Sequence, residues 1–287
     1  MTLPPFALHR PRSVEEATAL LVEHGDGAAA YCGGTELLLL MKLGFAAFDH
    51  LVDLKGIAEL HGVEAENGGL RIGAITTHRE LERHSLVLEQ LPALAAMERE
   101  VANVRVRTVG TLGGNLCFSD PHSDPATFLL ALDAEVETRQ GARGGRRVSI
   151  RDFLVGPYQV ALEPGELLAA VHLPLPRPGT VVVHDKLAFH ERPAATVTCV
   201  ARTENGAIAE ARVSVGSVGP SPVRAIEAEA TLTGAQPGDE EALARASEQA
   251  AEAAGAVDDS MGSADYKAQL VRVLVRRGLA RVLAVSG

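Results

Sequence analysis

At 287 residues the chain is long enough for two domains and a well-buried core. Its 46% hydrophobic and 22% charged residues are ordinary for a globular protein, and a net charge of −10 argues against nucleic acid, whose phosphates want a basic face. Cys32, Cys117 and Cys199 form no C-x-x-C, which excludes an iron–sulfur cluster held by this chain and suits a reducing, cytoplasmic compartment. No run of about 18 apolar residues is present, so no membrane span is expected; the opening M-T-L-P-P-F-A-L-H-R-P has no apolar stretch of a signal peptide.

Ser13, with Glu16 three residues on, reads as a capping box for a helix that Gly25 ends. Residues 28–32 (A-A-A-Y-C) read as a short buried strand, 37–42 (L-L-L-L-M-K) as a short helix and 50–54 as another buried strand, closing a βαβ-like lobe near Gly56. A second lobe starts near Leu60. Residues 69–73 alternate like a strand, Thr77 caps a helix carrying Glu80, Leu81 and His84, and Pro92 opens another reaching Glu100. Strands are expected over 135–139 and 147–150, around a turn from Gly141 to Gly145. Residues 174–179 (P-L-P-R-P-G) form a stiff linker. Beyond it, 197–203 and 207–215 flank Asn205-Gly206, the strongest short hairpin signal. Helices are expected over 222–232, 240–254 and 265–285, with Arg272, Arg276, Arg277 and Arg281 as a solvated or partner-facing stripe. Without regular βαβ alternation, the pattern predicts an α+β fold with a second α+β domain at the end.

Two glycine segments carry the chemistry. Gly33-Gly34-Thr35-Glu36 links a strand to a helix start, the usual build of a diphosphate site. It is neither a P-loop nor a G-x-G-x-x-G fingerprint. About eighty residues later, 107–126 read R-T-V-G-T-L-G-G-N-L-C-F-S-D-P-H-S-D-P-A. Gly113 and Gly114 stand between Thr111 and Asn115, and Asp120-Pro121 and Asp124-Pro125 read as paired turns. Glycines admit a bulky anion and successive amides form a nest for phosphate, although a Gly-Gly pair also reads as a plain turn. Two such segments suggest a dinucleotide clasped between two lobes. The histidines show no metal-ligand spacing, and His184 and His190 read as surface or satisfied core residues.

The motifs A-x-x-G-G-T-E-L-x-x-x-M-K and R-x-V-G-T-L-G-G-N-L-x-x-x-D-P-x-x-D resemble the FAD-binding medium subunit of the molybdenum hydroxylases, the xanthine dehydrogenase and carbon monoxide dehydrogenase family. D-F-L-V-G-P-Y at 152–158, G-E-L-L at 165–168 and Lys186-Leu187 agree, so the resemblance spans nearly the whole chain. It implies a two-lobed FAD-binding domain of the PCMH/vanillyl-alcohol-oxidase type over 1–176, with lobes at about 1–56 and 57–176. A C-terminal domain of the CO dehydrogenase flavoprotein type follows over 180–287.

The resemblance also implies that FAD is held by Cys32, Gly33, Gly34, Thr35, Glu36, Val101, Thr111, Gly113, Gly114, Asn115, Asp124, Leu168 and Lys186. Several of these have a plainer reading. Asp124 reads equally as an Asx turn, Glu36 as a first-turn acid, Val101 and Leu168 as core, and Lys186 as a solvent lysine. The family's R-x-x-D-Y/F is absent after Leu187, which leaves Tyr158 and Phe189 as the candidates to cover the flavin ring. Implied partners are a large molybdopterin-binding subunit and a small subunit with two [2Fe–2S] clusters, assembled as a dimer of heterotrimers. The chain would then be an electron-transfer subunit with no catalytic side chain and no metal of its own. The alternatives are a stand-alone FAD oxidoreductase and a degenerate nucleotide-binding module.

Overall fold

The structure is a computed structural model that describes residues 2–141 and 144–285. Strand β1 (Ala7–His9), helix α1 (Val14–His24), β2 (Ala28–Tyr31), α2 (Leu37–Leu43) and β3 (His50–Asp53) build an all-parallel sheet in the order β1-β3-β2. The central strand buries Leu51 and Val52, whereas β2, expected to be buried, lies at the edge and is half-buried. Ser13 caps α1 by accepting from the Glu16 amide. The box itself is half formed, because Glu16 turns its carboxylate to the Arg12 amide.

The second lobe runs through β4 (Val63–Glu66), β5 (Gly69–Gly73), α3 (His78–Arg83), α4 (Ser85–Gln90), α5 (Pro92–Glu100), α6 (Val104–Val109), α7 (Leu112–Phe118) and α8 (Asp124–Ala131). It continues with β6 (Glu135–Arg139), β7 (Gly145–Ser149), α9 (Ile150–Phe153), β8 (Leu154–Gly156), β9 (Gln159–Val160) and β10 (Leu167–Pro174). Five strands form an antiparallel sheet in the order β4-β5-β10-β6-β7, and β8 pairs with β9 in a small ribbon. Central β10 is buried from Leu167 to Leu173, so its sequence is a near-continuous apolar run rather than an alternation. Thr77 and Glu80 form the full capping box of α3. Of the turn expected between Gly141 and Gly145, Ala142 and Arg143 lie outside the described residues.

The third body is an antiparallel sheet of β11 (Val181–Ala188), β12 (Pro193–Glu204), β13 (Ala207–Gly216) and β14 (Val223–Arg224), followed by α10 (Ile226–Leu232), α11 (Glu240–Ala254) and α12 (Ala264–Val285). Asn205 and Gly206 take φ of 53° and 78°, the left-handed pair a two-residue hairpin requires. The helix expected from Pro222 starts at Ile226, because Val223 and Arg224 pair with β13. The arginine stripe of α12 is largely tied down within the chain: Arg272 meets Glu248, Arg276 meets Glu240 and Arg281 meets Asp185. No helix among the described residues is long and apolar enough to cross a membrane. The fold is thus α+β, as the lack of regular βαβ alternation implied.

Helix α8 joins the second and third bodies, and all eight of its residues are buried. A Cβ on Gly216 would fall 2.0 Å from Thr127 Oγ1, so only glycine lets β13 lie this close to α8. Ser214 donates its hydroxyl to the Thr127 carbonyl at 2.6 Å. The N-terminal residue of this locked helix is Asp124.

Candidate functional site

A cleft of about 390 Å³ opens where the glycine segments meet. Its wall contains Cys32, Gly33, Gly34, Thr35, Glu36, Val101, Thr111, Gly113, Gly114, Asn115, Asp124 and Leu168, twelve of the thirteen expected site residues. Lys186 stands behind the wall, bonded to Asp124. The two segments touch directly: a Cβ on Gly33 would lie 2.2 Å from the Val109 carbonyl oxygen.

The segments differ in what they offer. Gly34 takes φ +67°, and the chain turns there into α2. Among the described residues, none of the amides of Gly33, Gly34, Thr35 and Glu36 donates a hydrogen bond within the chain. They are open donors at a helix start, where the backbone dipoles favour an anion. The second segment, expected as a loop nest, is instead the first turn of α7. Thr111 caps it, accepting from the Gly114 amide at 3.1 Å, while the Gly113 amide donates to the Ala74 carbonyl at 2.8 Å. The Asn115 amide closes on the Thr111 carbonyl at 2.9 Å. The expectation of free amides here is therefore corrected. Gly113 is required for fit, since a Cβ would sit 2.6 Å from the Ala74 side chain. Asn115 lines the cleft with its amide oxygen engaged by the Ser123 hydroxyl. Its NH₂ group makes no bond among the described residues and remains a donor.

Asp120 does form the expected turn, accepting from the His122 amide at 2.9 Å. Asp124 does not. Ser123 takes the capping role by accepting from the Ala126 amide, so Asp124 is helical and its carboxylate is free of local backbone. It is 4% exposed and held from outside its own segment. Lys186 Nζ donates to Asp124 Oδ2 at 2.7 Å and to the Glu100 carbonyl at 2.6 Å. His184 Nε2 stands 3.5 Å from Oδ1. Burial works against the charged carboxylate, but the neighbouring His184 and Lys186 outweigh it and hold Asp124 below the usual carboxylate range. Oδ1 of Asp124 and Nε2 of His184 have no other partner and face only each other at the long distance of 3.5 Å, so the carboxylate lines the cleft with one oxygen weakly engaged. The readings of Lys186 as a solvent lysine and Asp124 as an Asx turn are overturned together, whereas His184, expected as a surface or satisfied core residue, is in the core, with its Nδ1 bonded to the Thr198 hydroxyl at 2.8 Å and its Nε2 facing Asp124. All three follow from β11 packing its inward side chains over the start of α8. His190, by contrast, is exposed.

The rest of the wall mixes apolar residues with polar ones such as His78, His122, Glu166 and Arg192. Cys117 and Phe118 from α7 join Val101 and Leu168. Burial pushes the thiols of Cys32 and Cys117 up to about 12, so neither is a nucleophile near neutral pH. Tyr158 and Phe189, the expected aromatic candidates, do not line the cleft; Tyr158 instead packs edge-on against Phe118, with ring centroids 5.2 Å apart. Phe118 was missed because inside L-C-F-S it has no signature. Arg192 was missed too. From the β11–β12 hairpin it reaches Asp120 at 2.9 Å and stands 3.9 Å from Glu36, spanning both segments. Burial and Asp120 raise the Glu36 carboxyl against the opposing pull of Arg192. Nearby, Arg146, the Glu163 amide and Thr138 overcome burial to hold Glu166 down at about 2.

Comparison with known proteins decides the family. Residues 4–176 match the FAD binding domain in molybdopterin dehydrogenase, and residues 190–282 match the CO dehydrogenase flavoprotein C-terminal domain. The chain belongs to the molybdopterin dehydrogenase flavoproteins. It is 33% identical to the carbon monoxide dehydrogenase medium chain of Afipia carboxidovorans, over 97% of each chain. It is also 33% identical to the xanthine dehydrogenase FAD-binding subunit of Escherichia coli O157:H7, over 97% of this chain and 96% of that one. Among solved structures, reconstituted CO dehydrogenase from Oligotropha carboxidovorans superposes with a TM-score of 0.95 at 33% identity, covering 99% of both chains. This flavoprotein is therefore an oxidoreductase subunit of that dehydrogenase type, with FAD as its cofactor. The cradle fits the group: open amides at one end, a backbone approach only glycine permits and a buried carboxylate with one oxygen weakly engaged at the other.

Proposed function

We propose that this chain is the FAD-carrying electron-transfer subunit of a multi-subunit molybdenum hydroxylase. The observation that carries the reading is the meeting of two glycine segments around one cleft, in a chain whose relatives are named medium chains and FAD-binding subunits. Bound there, FAD would supply reversible one- and two-electron redox chemistry. The chain's own residues bind, orient and exclude water. Amides of Gly33, Gly34, Thr35 and Glu36 receive the diphosphate, with Thr111, Gly113 and Gly114 shaping the opposite wall. Asn115 and Asp124 meet the hydroxyl-bearing part, and Cys32, Val101 and Leu168 pack the apolar part. Lys186 acts through Asp124, fixing its charge and direction. A stand-alone oxidase would instead need a general acid or base placed over the flavin.

The partners would be a large molybdopterin-binding subunit and a small [2Fe–2S] subunit, as a dimer of heterotrimers in the cytoplasm. Electrons would enter from the clusters and leave to an external acceptor. Residues 1–176 would form the FAD domain, with lobes at about 1–56 and 57–176, and 180–287 the C-terminal domain. Co-expression with a molybdopterin-binding and a [2Fe–2S] subunit of this family tests this. The reading expects one complex containing flavin, iron and molybdenum, with no substrate turnover by this chain alone. A chain that turns over a small substrate unaided would overturn it.

A further inference from the structure

Three histidines far apart in sequence converge on the first lobe, away from the cleft. His9 ends β1, His24 ends α1 and His50 begins β3. In the parallel register Ala7 pairs with His50, so His9, two residues on, shares the sheet face of His50. Helix α1 brings His24 onto that face. His9 Nε2 lies 3.0 Å from His50 Nδ1. The His24 ring lies over His50 at 3.7 Å between centroids, tilted by only 6°. One ligating nitrogen from each ring falls within 4.8 Å of the other two. All three are half-buried and open to entry from solvent.

We propose that this triad is a metal site for a divalent transition ion of the Zn²⁺ class. Three neutral imidazoles with a fourth position open to water form a set that zinc accepts readily. Bonds of about 2.0–2.1 Å to a tetrahedral ion place ligand nitrogens roughly 3.3 Å apart. The two nitrogens of His9 and His50 already stand near that spacing, and the His24 ring must slip off its stack to complete it. The C-terminal carbonyls of α1, beside His24, add a partial negative charge that favours a cation. No carboxylate or cation is bonded to the three rings among the described residues; apart from ring stacking, their polar contact is with each other. That distinguishes them from His172, which sits between Glu66 and Glu137. There Arg71, Arg139 and Arg147 already neutralise the acids, which makes it an ion-pair network. A bound ion would tie the end of β1 and the end of α1 to the first residue of β3, a structural clip on the lobe that presents Gly33–Glu36.

The test uses the full-length chain, stripped with a chelator and titrated with Zn²⁺ by calorimetry, then with Co²⁺ by visible absorption. The site predicts one ion per chain, a tetrahedral Co²⁺ spectrum and a higher Tm with Zn²⁺. His24→Gln and His9→Gln should each weaken binding roughly tenfold or more and abolish the Tm shift, with flavin content and circular dichroism unchanged. His172→Gln should leave binding unchanged. Failure to bind a stoichiometric ion would overturn the proposal, as would binding that survives both substitutions or is lost in His172→Gln. Two triad variants are used because either alone could disturb folding. Flavin content is read separately, so loss of the metal site leaves the FAD reading untouched.

Discussion

The two glycine segments look alike in sequence and work differently in the fold. Gly33–Glu36 leaves its amides open and contacts Val109 through a missing side chain. Thr111–Asn115 has its amides engaged, Leu112 and Gly113 on the Thr76 and Ala74 carbonyls and Gly114 and Asn115 on Thr111, and that side of the cleft offers side chains instead: the NH₂ of Asn115 and the carboxylate of Asp124. One wall binds with backbone, the other with buried polar groups. An open backbone can meet a diphosphate of any neighbour, whereas a locked carboxylate fixes direction. The comparison also predicts where each wall is fragile.

The largest effect is expected at the side-chain wall. Asp124→Ala leaves Lys186 buried without its counter-ion and should cost roughly 3–5 kcal/mol in denaturant unfolding. Lys186→Met should cost less and retain flavin better, because it leaves the carboxylate that meets the cleft. At the backbone wall, Gly33→Ala drives a Cβ into the Val109 carbonyl, for an expected loss of roughly 2–4 kcal/mol and of flavin uptake. Gly114→Ala meets only the Thr111 hydroxyl, at 2.8 Å. It should cost about 1 kcal/mol or less by thermal melt, while Gly114→Trp, which fills the cradle, should abolish flavin binding in a folded chain.

A pH-dependent effect tests the framework between the walls. Glu166 sits at about 2 in the folded chain, against about 4.3 when unfolded. A depressed carboxyl stabilises the native state above its unfolded value, and the contribution falls as pH drops through the folded one. Glu166→Gln should therefore cost roughly 2 kcal/mol at neutral pH, a difference that shrinks below pH about 4 and vanishes near pH about 2. The smallest effect belongs to half-exposed Arg192. Arg192→Ala should change stability by about 1 kcal/mol or less and weaken FAD affinity, read by fluorescence quenching, because it bridges both segments.

Much of this was legible in the sequence, since the information was local. Asn205-Gly206 and the Thr77–Glu80 box each dictate their element within a few residues. The members of the cleft were legible for a different reason: glycines that touch backbone have no substitute, so they stand out as motifs. The state of those motifs was not legible. Whether Gly113 offers its amide depends on Ala74, and whether Asp124 is a turn or a held carboxylate depends on Ser123 taking the cap and on β11 arriving from the third body. His184 and Arg192 became part of the site, and His9, His24 and His50 became a cluster, only through tertiary register. No spacing encodes that.

The central claim is that the cleft between the two segments seats FAD, and the most direct measurement is the visible spectrum of the purified chain with a phosphodiesterase digest of what heat releases. The account predicts flavin bands, FAD rather than FMN in the supernatant, about one per chain, and their loss in Gly114→Trp with the fold intact. A colourless chain that takes up no added FAD, or a Gly114→Trp variant that keeps it, would contradict the account.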